Sequence, residues 1–239
     1  MDTSSALPQI DETLLATTRY LQALTELDDE SAGRPSVLPG WSRAHVVAHL
    51  SRNADAITRV LTAVAAGAPA AMYPSSEQRN QDIEQTVVLP LDELLEDART
   101  TAARLATALA ACVPGPDARF GRVDGDGSPY PLDTLVPRRR AEVEIHHSDL
   151  DLGYSPASWP ADFSTALIGQ RQDELAATEA GGPSMVLSAT DVDGLWKLGA
   201  GQGPEVRGTA GELAWWLVGR PGAGLTCEPG PLPTVGGWR

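Results

Sequence analysis

The chain has four histidines, and all of them fall in two short segments: His45 and His49 in GWSRAHVVAH, and His146 and His147 in RRRAEVEIHH, about a hundred residues later. In each segment two ligand-type side chains stand four apart, His45 with His49 and Glu142 with His146. Positions four apart on an α-helix lie about 40° apart on one face, so each pair can aim at a common point. A lone pair of this kind also fits hydrogen-bonded structural histidines. Two such pairs point instead to a divalent metal held between facing helices, a site that helical bundles build from inward-pointing side chains. A histidine from the first pair with Glu142 and His146 from the second would leave an open coordination position, as catalytic zinc requires.

The elements around these pairs read as helices. Leu14, Leu21 and Leu24 lie on one stripe of a helix over about residues 10–27. Pro39 and Gly40 break the chain, Ser42 can cap, and residues from Arg43 to about 66 run without a breaker until Gly67 and Pro69. A shorter helix is expected near residues 76–85. A third long one is expected over about 91–112, with Leu94, Leu95, Ala98, Leu105 and Leu109 inward. PGPD and DGDGSPYP read as loops, and a fourth long helix runs from about Asp133, with Pro137 tolerable in its opening turns, to near Gly153. Four long helices over residues 1–155 make an N-terminal bundle carrying the metal site. YSPASWP reads as a Pro/Ser linker, and residues 160–239 as a small α+β domain. That domain would contain a helix over about 163–180, strands in SMVLSAT, LWKL, EVRG and GLTCE, and a helix in GELAWWLVGR. The fold class is α+β.

A formal net charge of −14, from 18 basic and 32 acidic residues, argues against nucleic acid, which needs a basic face. An anionic small molecule held by a few arginines stays compatible with it. No apolar run is long enough to cross a bilayer, and MDTSSALPQIDE lacks a basic stretch followed by an apolar one, so no membrane and a cytoplasmic location are expected. Cys112 and Cys227 stand in unrelated surroundings and read as small apolar residues, neither a disulfide nor a zinc knuckle. The metal ligands must therefore be nitrogen and oxygen.

Asn53 and Asp149 share the stripes of His49 and His146, and either can orient a ligand imidazole. Glu144 and His147 are rotated off the Glu142/His146 direction and are expected to face away from the metal. Arg138, Arg139 and Arg140 read as a solvated helix surface, and Trp41, Trp215 and Trp216 as core aromatics.

GWSRAHVVAHLSRNA, MYPSSEQRNQDIE, EVEIHHSDL and GELAWWLVGR resemble, in order and spacing, the mycothiol-dependent maleylpyruvate isomerases of the DinB-like metalloenzyme superfamily. The first element is shared widely in the superfamily, whereas the segment from Tyr73 to Asn80 and the C-terminal domain narrow the likeness to the isomerase branch. The resemblance implies a DinB-like four-helix bundle followed by a sterol-carrier-like small α/β domain that contributes to the active-site cleft. It implies His49, Glu142 and His146 as ligands of zinc or another divalent metal, with His45 in the pocket wall or behind a ligand. It also implies Arg79 and Arg220 as catalytic, cofactor-binding groups, and mycothiol as the thiol cofactor. The activity it implies is isomerisation of maleylpyruvate to fumarylpyruvate by a monomer or weak dimer acting on a small molecule and a low-molecular-weight thiol. An S-transferase with the same zinc and thiol, or a non-catalytic metal- or lipid-binding module, are the alternatives. Glu144 and His147 depart from the family pattern and bear on substrate identity more than on the metal site.

Overall fold

The structure, a computed structural model, describes residues 3–111, 117–123, 129–177 and 182–236. Cys112, most of PGPD, residues 124–128 of the DGDGSPYP loop and the end of the helix expected over 163–180 lie outside the described residues. The class is α+β, and the chain divides into two compact units, Met1–Leu152 and Gly153–Arg239.

The first unit contains α1 (Thr3–Ala23), α2 (Asp29–Gly33), α3 (Arg43–Ala65), β1 (Ala71–Tyr73), α4 (Ser76–Val87), α5 (Leu91–Ala111), β2 (Arg119–Val123), β3 (Tyr130–Pro131) and α6 (Leu135–Asp149). Its centre is α3, which packs against α4, α5, α6 and β1. The local sequence explains why α3 starts where it does. Ser42 is extended and accepts from the His45 amide, while the His45 ring accepts from the Ser42 amide, so both ends of a capping box are closed. Small residues, Ala44, Ala48, Ala54 and Ala56, alternate with Val46, Val47, Leu50, Ile57 and Val60, all of them buried. One core cluster joins α3 to α1, α5 and α6 through Tyr20, Leu50, Leu94 and Val143. A second, nearer the other end, joins Ile57 and Leu61 to Leu105, Phe120 and Leu135.

Two features of this unit differ from the sequence expectation. The first helix starts near Thr3, because the expected start near Ile10 rested on an apolar stripe that begins later than the helix does. The loops between the long helices also contribute a sheet of order β1-β2-β3, parallel between β1 and β2 and antiparallel between β2 and β3. Strands of two to five residues carry too few alternations to register as a pattern, and here Phe120 is the only fully buried position of β2.

The second unit begins with a 3-10 turn, Pro156–Ser158, and contains α7 (Ala161–Ala176), β4 (Met185–Ala189), β5 (Leu195–Leu198), β6 (Glu205–Gly208), α8 (Ala210–Leu217) and β7 (Thr226–Glu228). The sheet order is β5-β4-β6-β7, with β4 and β6 parallel and the outer pairs antiparallel. YSPASWP is built into this unit and is not a free linker. Trp159 is buried against Phe163 and Trp215, and Gly211 of α8 passes so close to Pro156 that a Cβ there would collide with its carbonyl oxygen. Thr209 and Glu212 close a capping box at the start of α8, and Trp216 is buried while Trp215 is half-buried.

Leu50 is 1% exposed, and although it follows His49 directly on α3 its side chain belongs to the apolar cluster. Leu50→Ala should therefore cost about 2–5 kcal/mol of unfolding free energy, read by chemical denaturation of the metal-free protein. A loss below about 1 kcal/mol would mean that α3 is not the centre of this core.

Candidate metal centre

Three of the side chains singled out in the sequence come together. His49, Glu142 and His146 each offer a ligand atom, and these atoms all lie within 4.8 Å of one another. Glu142 Oε2 is 2.9 Å from His49 Nε2 and 3.3 Å from His146 Nε2. The two imidazoles meet edge to face with ring centroids 4.7 Å apart. Both histidines are buried and Glu142 is half-buried.

The remaining ring nitrogens are fixed from behind. His146 Nδ1 is 2.8 Å from Asp149 Oδ2, and Asp149, fully buried, accepts from the Val37 amide through its backbone carbonyl. A carboxylate behind an imidazole orients the ring and makes its other nitrogen a better ligand. His49 Nδ1 faces Arg79, whose guanidinium donates to it at 3.2 Å. Each histidine therefore presents Nε2 to the common point. Two imidazoles and one carboxylate fit a zinc-type ion with a coordination position to spare. His146 is already turned with its Nδ1 against the Asp149 carboxylate, whereas His49, accepting from Arg79 at Nδ1, carries its proton on Nε2 and would move it to Nδ1, releasing Arg79, on binding an ion.

His45 is not part of this group. Its Nδ1 is 2.6 Å from Ser42 Oγ in the helix cap, and its Nε2 lies 3.8 Å from Glu84. Its ring stacks on Trp41, which also meets His49 edge-on at 5.5 Å, so Trp41 walls the site as well as closing the core. Asn53 does not orient an imidazole: its Oδ1 accepts from Arg139 at 2.7 Å. Arg139 itself is 2% exposed and also donates to the Leu50 carbonyl, which corrects the reading of the three arginines as solvated surface. Arg140 pairs with Glu12, and Arg138 lies 4.5 Å from the Tyr130 ring centroid. Arginine stems cover apolar surface, and charge alone does not reveal which of three neighbours faces inward. Glu144 and His147 point away from the group, yet both are buried, Glu144 against Arg19 at 2.7 Å and His147 against the Tyr20 ring.

Electrostatics separate the two histidines. Burial depresses His49 to about 4, outweighing the attraction of Glu142. Burial acts on His146 in the same direction, but its bonds to Asp149 and Glu142 prevail and raise it above its ordinary value. For Glu142, burial favours the neutral acid, and the bonds from His146 and His49 overcome it and hold the carboxyl well below the usual carboxylate range. At neutral pH the chain thus presents an ionised carboxylate and a neutral His49, the forms a metal needs.

Of the two arginines, Arg79 on α4 reaches the group through His49, and its other nitrogen donates to Asn80 at 3.0 Å. Arg220 lies just beyond α8 in the second unit, donating to the Val218 carbonyl at 2.9 Å with its guanidinium 5.7 Å from the Trp215 ring centroid. Tyr73, at the end of β1, is a site residue that the sequence reading did not single out. It is 4% exposed, and Arg79 lies over its ring at 5.8 Å. Its only sequence signal is an aromatic residue shortly before the Ser75 cap of α4.

A helical unit with a buried group of two histidines and one carboxylate defines the class. The family model of the mycothiol maleylpyruvate isomerase N-terminal domain matches residues 14–151, the segment that contains every member of that group, and the chain belongs to this family. Two crystal structures, of the mycothiol-dependent maleylpyruvate isomerase and of a histidine-to-alanine mutant of it, share the fold with a TM-score of 0.87 each. Each is 24% identical and covers 98% of this chain and 97% of its own. No curated protein matches the chain in sequence. Among the described residues, no helix is long and apolar enough to cross a membrane.

The group should bind one divalent ion per chain, and His49→Ala, Glu142→Ala and His146→Ala should each abolish binding by elemental analysis, whereas His45→Ala should retain it. Asp149→Asn should weaken affinity about 10–100-fold. Protons compete with the ion for the imidazoles. Because His146 is raised, it is the first ligand protonated as pH falls, and affinity should drop about ten-fold per pH unit below its pKa, steepening only near His49's value of about 4. Affinity that stays flat from neutral pH down to the His49 value would contradict this assignment.

Proposed function

We propose that the chain catalyses mycothiol-dependent cis–trans isomerisation of maleylpyruvate to fumarylpyruvate. The observation that carries this reading is the convergence of His49, Glu142 and His146 inside the segment that matches the isomerase family. When bound, a zinc-type ion and mycothiol supply a thiolate nucleophile, whose addition to the substrate double bond and later departure leave, in between, a single bond free to rotate.

The chain's residues then have distinct parts. His49, Glu142 and His146 would hold the ion, which would supply Lewis-acid activation of the thiol. Asp149 keeps the His146 ring in place. Trp41 restricts water on the His49 side, which protects a nucleophile that solvent would otherwise reprotonate. No protein nucleophile is needed. Arg79, already at the ligand group, is suited to bind a substrate or cofactor carboxylate and to stabilise the enolate that develops when the electron pair moves onto the conjugated carbonyl. Arg220 is assigned the second carboxylate.

The decisive assay is of purified, metal-loaded protein with maleylpyruvate, with and without mycothiol. Fumarylpyruvate should form only when the thiol is present. Arg79→Lys and Arg220→Lys keep the charge but lose the planar fork, and each should reduce turnover about a hundred-fold with metal content unchanged. Conjugation of mycothiol to an electrophile without isomerisation would move the reading to an S-transferase. Full activity in both arginine variants would remove the arginines from the chemistry.

A further inference from the structure

Behind the ligand group runs a second line of polar side chains that the metal does not require. It starts at Arg139 on α6, which is buried and donates to the Leu50 carbonyl at 3.0 Å and to Asn53 Oδ1 at 2.7 Å, both on α3. Tyr73 is buried, and its phenol has Asn53 and Arg79 as polar neighbours. Arg79 in turn lies over the Tyr73 ring and donates to His49 Nδ1. The line thus links α6, α3, β1 and α4 and ends at a metal-ligand candidate.

Two physical points give Tyr73 a role in this line. A phenylalanine would fill the same space, and a buried hydroxyl is costly unless it is bonded, so the oxygen at this position needs its partners. Arg79 stands on α4, a helix with only two buried residues, Ile83 and Thr86, and an arginine there would otherwise sample many rotamers. The ring face and the hydroxyl of Tyr73 give the guanidinium one position, and Asn53, itself fixed by Arg139, prevents the hydroxyl from turning away.

We propose that Tyr73 is a positioning residue that holds the Arg79 guanidinium beside His49 in the orientation that receives a carboxylate-bearing ligand. The inference rests on the reading of Arg79 as an anion-binding group. Tyr73 acts through Arg79, and its contribution vanishes when Arg79 can no longer form a fork.

The test is a double-mutant cycle in the full-length, metal-loaded protein: Tyr73→Phe, Arg79→Lys and the two together. Three properties are measured for each: kcat and KM with maleylpyruvate, the Kd of maleate as a dicarboxylate probe by calorimetry, and metal content with melting temperature. Tyr73→Phe should raise KM and the maleate Kd about ten-fold, the scale of one hydrogen bond to a charged group, with metal content and melting temperature at wild-type values. Adding Tyr73→Phe to Arg79→Lys should change either constant less than two-fold further, because coupled residues are not additive. Wild-type constants in Tyr73→Phe, additive losses in the double variant, or loss of metal in Tyr73→Phe would each overturn the proposal. If the wild-type protein binds maleate with this coupling but does not isomerise maleylpyruvate, the isomerase reading fails and the positioning role stands. A wild-type protein that neither isomerises maleylpyruvate nor binds maleate overturns both.

Discussion

One carboxylate oxygen between two imidazoles determines most of the first unit's arrangement. Glu142 on α6 lies within 3.3 Å of both His146 on its own helix and His49 on α3. Three polar side chains in an apolar interface are stable only if each is satisfied, and a half-satisfied cluster costs more than an apolar one. The two helices must therefore meet at one register, with Nε2 of each ring inward. Their supports follow from that need: Asp149 behind His146, Arg79 at Nδ1 of His49, and Trp41 edge-on to the His49 ring.

The same reasoning explains an unusually polar α6. Arg139, Glu144, His146, His147, Ser148 and Asp149 are all buried on this one helix, which no simple apolar stripe describes. Glu144 is ion-paired with Arg19 on α1, and Arg139 is held by neutral acceptors on α3, the Leu50 carbonyl and Asn53 Oδ1, so each buried charge has a partner on a neighbouring helix. A buried charge left alone is strongly destabilising, so these pairs also tie α1 and α3 to the helix that carries two of the ligand candidates. A metal ion held by the third pairing would complete the series.

The large features were legible because they rest on period and on punctuation. Helical spacing placed His49, Glu142 and His146 on faces that can meet, and Ser42 after Pro39-Gly40 marked the start of α3 within a residue. Spacing did not separate His45 from His49, since both share a face. The structure does so through a local bond, the Ser42 cap that occupies the His45 ring. Arg139 was misread as solvated surface, and Tyr73 was given no role of its own, for a related reason. Their partners are 86 residues away in one case and on another element in the other, and no local pattern encodes such a contact. The small sheet was missed because short strands between Gly- and Pro-rich loops leave too little alternation to read.

The central claim is that His49, Glu142 and His146 form one metal site with an open position. Anomalous diffraction at the zinc edge from crystals of zinc-loaded protein tests it most directly. The account predicts a single strong peak at about 2.0–2.2 Å from His49 Nε2, His146 Nε2 and a Glu142 oxygen, with water or thiol as the remaining ligand. A peak coordinated by His45 or His147, or no ordered ion between α3 and α6, would contradict it.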